Sequence, residues 1–298
     1  MHAIELQNLT KYYGKTRGIE NISLAVEQGD IFGFIGPNGA GKSTTIRILL
    51  GLIGSTSGAA RVLGHEAAKG NTALLSQVGY LPSEVQFYPG MRVRDVLRFS
   101  AALRGKDCAK EARRLCERLE LDDAKRVETL SLGNRKKVGV VCAMQHEPGL
   151  YIMDEPTSGL DPLMQREFYA LLEERSAQGA TVFLSSHVLS EVQRYCRHAA
   201  VIRAGQILAC GSVEELGHTG AKRVTLRGVG EAPALDGVRS AVQTADGVSF
   251  LYSGAPGPLL NALARLPVAD LTVTEPDLEE VFLHYYGKGG GPNDDLPA

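Results

Sequence analysis

The sequence predicts an α/β fold with a largely parallel, buried sheet in its first two-thirds. Short apolar runs without polar interruption alternate there with longer stretches in which apolar residues recur at helical spacing. A glycine-rich turn stands directly between one such run and the helical pattern after it. Strands buried on both faces and separated by helices are typical of parallel sheets.

The first two strands differ from the others in their pattern. The segments IELQNLTKYYG and GIENISLAVEQGD alternate apolar and polar residues, which predicts an antiparallel hairpin layer. Buried strands are then predicted at Asp30–Ile35, Gln77–Leu81, Leu150–Met153, Thr181–Ser185 and Ala199–Arg203. Helices are predicted between them at Lys42–Leu52, Val93–Arg104, Ala109–Leu119, Asn134–His146, Leu163–Ala177 and Leu189–Cys196.

The character of the sequence changes near residue 217, after a short helical VEELG and a glycine-containing break. Beyond it we predict strands at Arg223–Leu226, Ala241–Thr244, Val248–Tyr252 and Asp270–Thr274, with helices at Pro258–Leu266 and Leu278–Tyr286. The order indicates a small α+β domain of β-α-β-β-α-β type. We therefore predict three regions: 1–216 with a helical subdomain at about 84–147, an accessory domain at 217–286, and a disordered tail at 287–298.

Composition narrows the class of protein. The chain has 298 residues, 44% of them apolar, and a net charge of −2, so no basic field points to nucleic acid as a partner. Five scattered cysteines without a CxxC pair favour a reducing compartment. No run approaches the roughly 20 apolar residues that span a bilayer. We expect a protein of the cytosol, or of the cytosolic face of a membrane.

The strongest motif is residues 36–44, which read GPNGAGKST and lie between a predicted strand and a predicted helix. This is the phosphate-binding loop pattern, in which glycines let backbone amides and a helix N-terminus surround phosphate groups. Lys42 is expected to reach the β- and γ-phosphates, and the Ser43 hydroxyl to hold Mg²⁺. The candidate nucleotide-binding residues here are Gly36, Asn38, Gly39, Ala40, Gly41, Lys42, Ser43 and Thr44. A purely structural glycine-rich turn at a helix start is the alternative.

A second motif, LYIMDE at 150–155, is an apolar strand that ends in two acids. In a chain with a phosphate-binding loop, a carboxylate at a strand end can complete the Mg²⁺ shell, and we give that role to Asp154. Glu155 is then available as a general base that activates the attacking water. A surface acidic pair without function is the alternative.

With these motifs the chain resembles the ATP-binding subunits of ABC transporters over roughly residues 3–216. PTSGLD at 156–161 is similar to the family's D-loop, which implies a nucleotide-interface role for Asp161. SSH at 185–187 is similar to its switch segment, which implies that His187 contacts the γ-phosphate. Tyr13, two residues after Lys11, stands where the family stacks an aromatic ring on adenine, with Tyr12 as the alternative.

Two segments depart from the family pattern. Its signature LSGGQ reads LSLGN here, so Ser131, Gly133 and Asn134 match as nucleotide contacts while Leu132 replaces a glycine. Three bases occupy 135–137, where they oppose the helix dipole unless an anion binds. A solvated basic face is the alternative. At the position of the family's metal-side glutamine stands Ser83, which we expect to bind the metal through water.

The resemblance implies how the parts act. Two ATP-binding subunits pair head to tail, each ATP lies between one phosphate loop and the partner's signature segment, and a separate membrane-spanning permease is driven. ATP and Mg²⁺ are the expected ligands. EPDLEEVFLH at 275–284 resembles the end of ABC-2-type export ATPases, which favours export. The alternatives are a regulatory or catalytically silent half of a heteromer and a non-transport ABC ATPase. A GTPase is disfavoured because no NKxD motif is present.

Overall fold

The computed structural model describes residues 1–217 and 221–274. The backbone forms two compact units, the first ending at Gly211 and the second beginning at Ser212. The functional division that we predict after residue 216, with a separate role for the C-terminal residues, stays a prediction.

Strands and helices alternate through most of the first unit. Its strands are β1 (His2–Tyr13), β2 (Thr16–Glu27), β3 (Ile31–Ile35), β4 (Ser57–Val62), β5 (His65–Glu66), β6 (Val78–Leu81), β7 (Leu150–Asp154), β8 (Thr181–Ser186), β9 (His198–Arg203) and β10 (Gln206–Ser212). Its helices are α1 (Lys42–Leu49), α2 (Thr72–Ser76), α3 (Val93–Leu103), α4 (Ala109–Arg118), α5 (Leu132–Met144), α6 (Pro162–Ala177) and α7 (Leu189–Tyr195).

The larger sheet of this unit has the strand order β10-β9-β3-β8-β7-β6. The pairs β9/β3, β3/β8, β8/β7 and β7/β6 are all parallel. Every residue of β3, β7 and β8 is buried, as the uninterrupted apolar runs predict. Because these three strands run the same way, the loops at their carboxyl ends meet at one edge of the sheet. Those loops carry the phosphate-loop, acid-pair and histidine motifs.

The smaller sheet, with the order β2-β1-β4-β5, is the predicted antiparallel layer. One apolar core joins it to the larger sheet through side chains from both sheets and α1, among them Ile4, Leu24, Phe34, Ile46 and Phe183. The hairpin of β1 and β2 therefore packs against the larger sheet and α1. The helices α3, α4 and α5 all fall within the region predicted as helical, about 84–147.

Some short elements are absent from the sequence prediction. These are β4, β5, β10 and α2. The strand β4 reads SGAARV and α2 has only 5 residues, so neither carries a periodic apolar pattern long enough to recognise. The helix α5 also begins earlier than predicted, at Leu132, because the Ser131 hydroxyl accepts a hydrogen bond from the Asn134 amide and caps it.

The second unit contains α8 (Val213–Gly217), β11 (Lys222–Arg227), β12 (Val238–Thr244), β13 (Gly247–Tyr252), α9 (Pro256–Leu263) and β14 (Asp270–Thr274). Its sheet has the order β12-β13-β11-β14 around a small apolar core. The predicted helix between the first two strands is wrong: residues 228–237 form none. Gly228 and Gly237 take positive φ there and Pro233 lies between them, which disfavours a helix. The predicted helix 278–286 and tail 287–298 lie outside the described residues.

Across the two described stretches, 1–217 and 221–274, the helices are too short or too polar to cross a lipid bilayer.

Candidate functional site

The glycine-rich loop at 36–41 connects β3 to α1 and depends on its glycines. Gly41, the residue before α1, has a φ of 110°, and a Cβ there would lie 2.7 Å from Ile19 Cγ2. A Cβ on Gly36 would lie 2.3 Å from the carbonyl oxygen of Ile202. In the described part of the chain no side chain caps α1, so its first amides are left for an anion at the helix N-terminus.

Lys42 extends back over this loop. Its ammonium donates hydrogen bonds to the carbonyl oxygens of Gly36, at 2.6 Å, and Pro37, at 3.2 Å, and only 6% of the side chain is exposed. The same ammonium lies 3.3 Å from Glu155 Oε1. A positive charge is thus held directly over the phosphate-loop backbone, with a carboxylate as its ionic partner.

A cluster of hard oxygen ligands lies beside the lysine. The Ser43 hydroxyl donates to Asp154 Oδ2 at 3.1 Å, and the Ser185 hydroxyl donates to Asp154 Oδ1 at 2.6 Å. Hydroxyl and carboxylate oxygens are the donors that Mg²⁺ prefers, so these residues fit the metal expected with a nucleotide. Ser185 begins the SSH segment, but only His187 of that segment is a predicted site residue, because nothing in the sequence reveals the contact of Ser185 with Asp154.

Glu155 is held in place from several sides. It has a φ of 47°, which turns the chain sharply after β7, and its amide donates to the carbonyl oxygen of Ser185 at 3.1 Å. Its Oε2 lies 2.6 Å from His187 Nδ1 while Oε1 faces Lys42. The structure therefore brings the two predicted catalytic residues, Glu155 and His187, into direct contact at the edge of the loop.

The two candidate tyrosines point in different directions. Tyr13 is 45% exposed, its hydroxyl lies 3.5 Å from Thr44 Oγ1, and the Lys11 ammonium lies 5.4 Å from its ring centroid. Tyr12 instead donates to Glu20 Oε1 at 2.7 Å. The difference arises from strand geometry, in which neighbouring side chains leave opposite faces.

Most of these groups line a cavity of about 390 Å³, whereas Tyr12, Ser185 and His187 do not. Of the predicted site residues, it is bounded by Tyr13, Asn38, Gly39, Gly41, Lys42, Ser43, Thr44, Ser83, Asp154 and Glu155. Gly36 and Ala40 are buried within the loop itself. Three residues that the sequence does not predict, Arg17, Gly18 and Pro37, also line it. Arg17 lies near the start of β2 and donates to Glu20 at 3.2 Å, and no local sequence signal shows that it faces the cavity.

The remaining predicted contacts do not line this cavity. Ser131 caps α5, and a Cβ on Gly133 would lie 2.6 Å from the carbonyl oxygen of Gly159. Leu132 is 60% exposed. Asp161 caps α6 by accepting from the amides of Leu163, at 3.1 Å, and Met164, at 3.0 Å. Ser131, Gly133, Asn134 and Asp161 are therefore absent from the lining of the cavity within their own chain.

The alternative of a solvated basic face at the start of α5 is wrong for two of its three bases. Lys136 and Lys137 are 2% and 8% exposed. The Lys136 ammonium donates to the carbonyl oxygens of Pro82 and Ser83, so acceptors within the protein, and not a bound anion, satisfy its hydrogen bonds. The neighbouring loop supplies the acceptors, which sequence spacing does not reveal.

Comparison with known proteins places this geometry in a family. A family model described as ABC transporter matches residues 19–158. The chain is 32% identical to the bacitracin transport ATP-binding protein BcrA of Bacillus licheniformis, over 96% of this chain and 98% of that protein. It is also 32% identical to the Nod factor export ATP-binding protein I of Cupriavidus metallidurans, over 96% and 97% of the two chains.

Solved structures give the same result. One described as the ATP-binding subunit of an ABC transporter superimposes with a TM-score of 0.68 at 32% identity, covering 72% of this chain and 91% of that one. The predicted fold class, a P-loop α/β core of ABC type with an antiparallel layer, is confirmed. The chain therefore belongs to the ATP-binding subunits of ABC transporters, the ATPases that power transport in these systems.

Proposed function

We propose that this chain hydrolyses MgATP to drive export through a separate membrane-spanning partner, on the cytoplasmic side of the cell membrane. The observation that carries the proposal is the position of Glu155, which lies between Lys42 and His187 beside the Ser43–Asp154 pair. Relatives named for bacitracin transport and Nod factor export match almost the full length of the chain, which favours export.

Each residue has a distinct task in this proposal. Phosphate oxygens compete with Glu155 and the loop carbonyls for Lys42, so nucleotide binding releases the Glu155 carboxylate. Glu155 then accepts the proton of the attacking water, while His187 orients the carboxylate through its Nδ1 contact. Ser43 and Asp154 would hold Mg²⁺, and Ser83 lines the same cavity. Bound Mg²⁺ would neutralise charge that develops on the phosphate oxygens.

The site is proposed to be completed by a second ATP-binding subunit. Ser131, Gly133 and Asn134 lie at the N-terminus of α5 and do not line the cavity of their own chain. Amides at a helix start attract an anion, so they suit the phosphates of a nucleotide held by another subunit. The loop that ends at Asp161 contacts this segment, because a Cβ on Gly133 would lie 2.6 Å from the carbonyl oxygen of Gly159.

The test is the rate of phosphate release by the purified chain, measured against protein concentration. We expect turnover to rise faster than linearly, since two chains make the site, and to fall at least about 100-fold in Glu155→Gln with ATP binding retained. Lys42→Ala should lose ATP binding. Glu173→Gln, an exposed acid on α6, is the matched control and should keep wild-type turnover.

Two results would count against the proposal. Wild-type turnover in Glu155→Gln would show that this carboxylate is not the base. ATP binding without turnover by the wild type, even with a permease partner added, would instead favour the silent half of a heteromer, for which Leu132 and Ser83 are the residues to examine.

A further inference from the structure

The helix α5 is joined to the loop after β6 by a buried lysine. Lys136, in the second turn of α5, is 2% exposed. Its ammonium donates to the carbonyl oxygens of Pro82, at 3.0 Å, and Ser83, at 2.9 Å. Farther along, a Cβ on Gly139 would lie 2.7 Å from Val85 Cγ1, so the loop also packs closely on the helix.

Burying the Lys136 ammonium costs free energy, so it requires compensating contacts. Burying an ammonium without full compensation disfavours its charged form. Burial lowers the pKa of Lys136 to about 8, and the carboxylates of Asp154 and Glu155 oppose that fall. The ammonium does not line the cavity, and its described partners are the two carbonyl oxygens of the loop.

The same helix contacts a second loop at its first turn. Gly133 lies against the carbonyl oxygen of Gly159, and Leu132 Cδ2 lies 3.2 Å from the position of a Cβ on Gly159. The strands before these two loops, β6 and β7, are parallel neighbours. The start of α5 therefore bridges the loop that presents Ser83 to the cavity and the loop that ends in Asp161.

We propose that Lys136 is a positioning residue that fixes the backbone of residues 82 and 83 to the start of α5. A displacement of Ser83 at the nucleotide cavity is then passed to the 131–134 segment, which the proposed function presents to the partner subunit. The link runs through main-chain carbonyls, so it does not depend on which side chain stands at position 83. The effect on the partner subunit rests on the proposed function. The connection between Lys136 and residues 82 and 83 rests on the geometry alone.

The experiment compares Lys136→Met, which keeps the length of the side chain but removes its three donors, with Lys137→Met. Lys137 is the matched control because it is the next residue, is also buried, and makes no hydrogen bond with residues 82 and 83. Hydrogen exchange of peptides covering 82–87 and 131–135 is measured in the nucleotide-free proteins. We expect exchange in 82–87 to rise about tenfold in Lys136→Met, because a charge-assisted hydrogen bond is lost, and little in Lys137→Met.

Measurements of kcat and KM distinguish a positioning role of Lys136 from a purely structural one. We expect kcat to fall about tenfold in Lys136→Met while the KM for ATP stays within about twofold, since the cavity keeps its own contacts. Lys136→Arg, whose guanidinium can donate to both carbonyls, should recover part of both effects. If Lys136→Met does not fold, Lys136→Gln carries the same comparison with one donor group in place of the ammonium.

Unchanged exchange at 82–87 in a folded Lys136→Met protein would overturn the inference. Equal effects of Lys136→Met and Lys137→Met would do the same, as would a raised KM with an unchanged kcat. Failure of the wild type to bind ATP would count against the proposed function only, because the exchange comparison uses nucleotide-free protein and still decides whether the link exists.

Discussion

Glu155 shows how much of the site depends on single residues. Its left-handed backbone and its bond to Ser185 aim the carboxylate at Lys42 and His187. The phosphate loop could be recognised from the sequence because phosphate binding requires glycines, a lysine and a hydroxyl at fixed spacings, and the acid pair could be recognised because it ends an apolar strand in a chain with such a loop. Ser185 and Arg17 could not, since their places in the site arise only when distant segments pack together.

The neighbouring residues Tyr13 and Tyr12 differ in their position relative to the nucleotide cavity. Tyr13 lines the cavity and Tyr12 does not, so Tyr13→Ala should raise the Kd for ATP about tenfold through lost stacking on the base. Tyr13→Phe should keep wild-type affinity, and Tyr12→Ala should change it less than about twofold. Fluorescent-nucleotide titration measures all three variants. An equal loss of affinity in Tyr12→Ala and Tyr13→Ala would contradict the assignment.

The helices α5 and α6 each begin with a capping side chain. Ser131 caps α5 and Asp161 caps α6, and both are also predicted to meet a nucleotide. The buried strands and longer helices were predictable because their apolar periods are long and regular. The burial of Lys136 in α5 was not, because the carbonyl oxygens that accept its hydrogen bonds belong to residues 82 and 83, which are distant in sequence.

Substitutions of Asp161 can separate its role as the cap of α6 from its predicted role at the nucleotide interface. Asp161→Ala should lower the free energy of unfolding by about 1 kcal/mol, because two amides of α6 lose their acceptor. Asp161→Asn should keep that stability, since asparagine caps as well as aspartate, yet reduce turnover if the charge acts at the nucleotide interface. Urea unfolding and phosphate release give the two readings. No loss of stability in Asp161→Ala would show that the cap is unimportant.

At the scale of the molecule, stability should depend on pH through a buried histidine. Burial, with the Arg104 guanidinium nearby, lowers the pKa of His146 to about 4, whereas an unfolded histidine titrates near 6.5. The unfolded state therefore binds the proton first, so this contribution is complete above about pH 6.5 and is lost as pH falls toward 4.

The check is urea unfolding at pH 7.5 and pH 5. The loss of stability between them should be smaller in His146→Gln than in wild type, by on the order of 1 kcal/mol. His65→Gln, at an exposed position in β5, is the control and should behave as wild type. An identical loss in His146→Gln would mean that another group governs the acid response.

The molar mass of Glu155→Gln in solution shows whether ATP is held between two copies of this chain. Sedimentation velocity without nucleotide should give a monomer. Addition of MgATP, which this variant binds but turns over slowly, should give a dimer, while MgADP should not. Lys42→Ala in the same background should stay monomeric. A mass that does not change at saturating MgATP would contradict the composite site built from two copies.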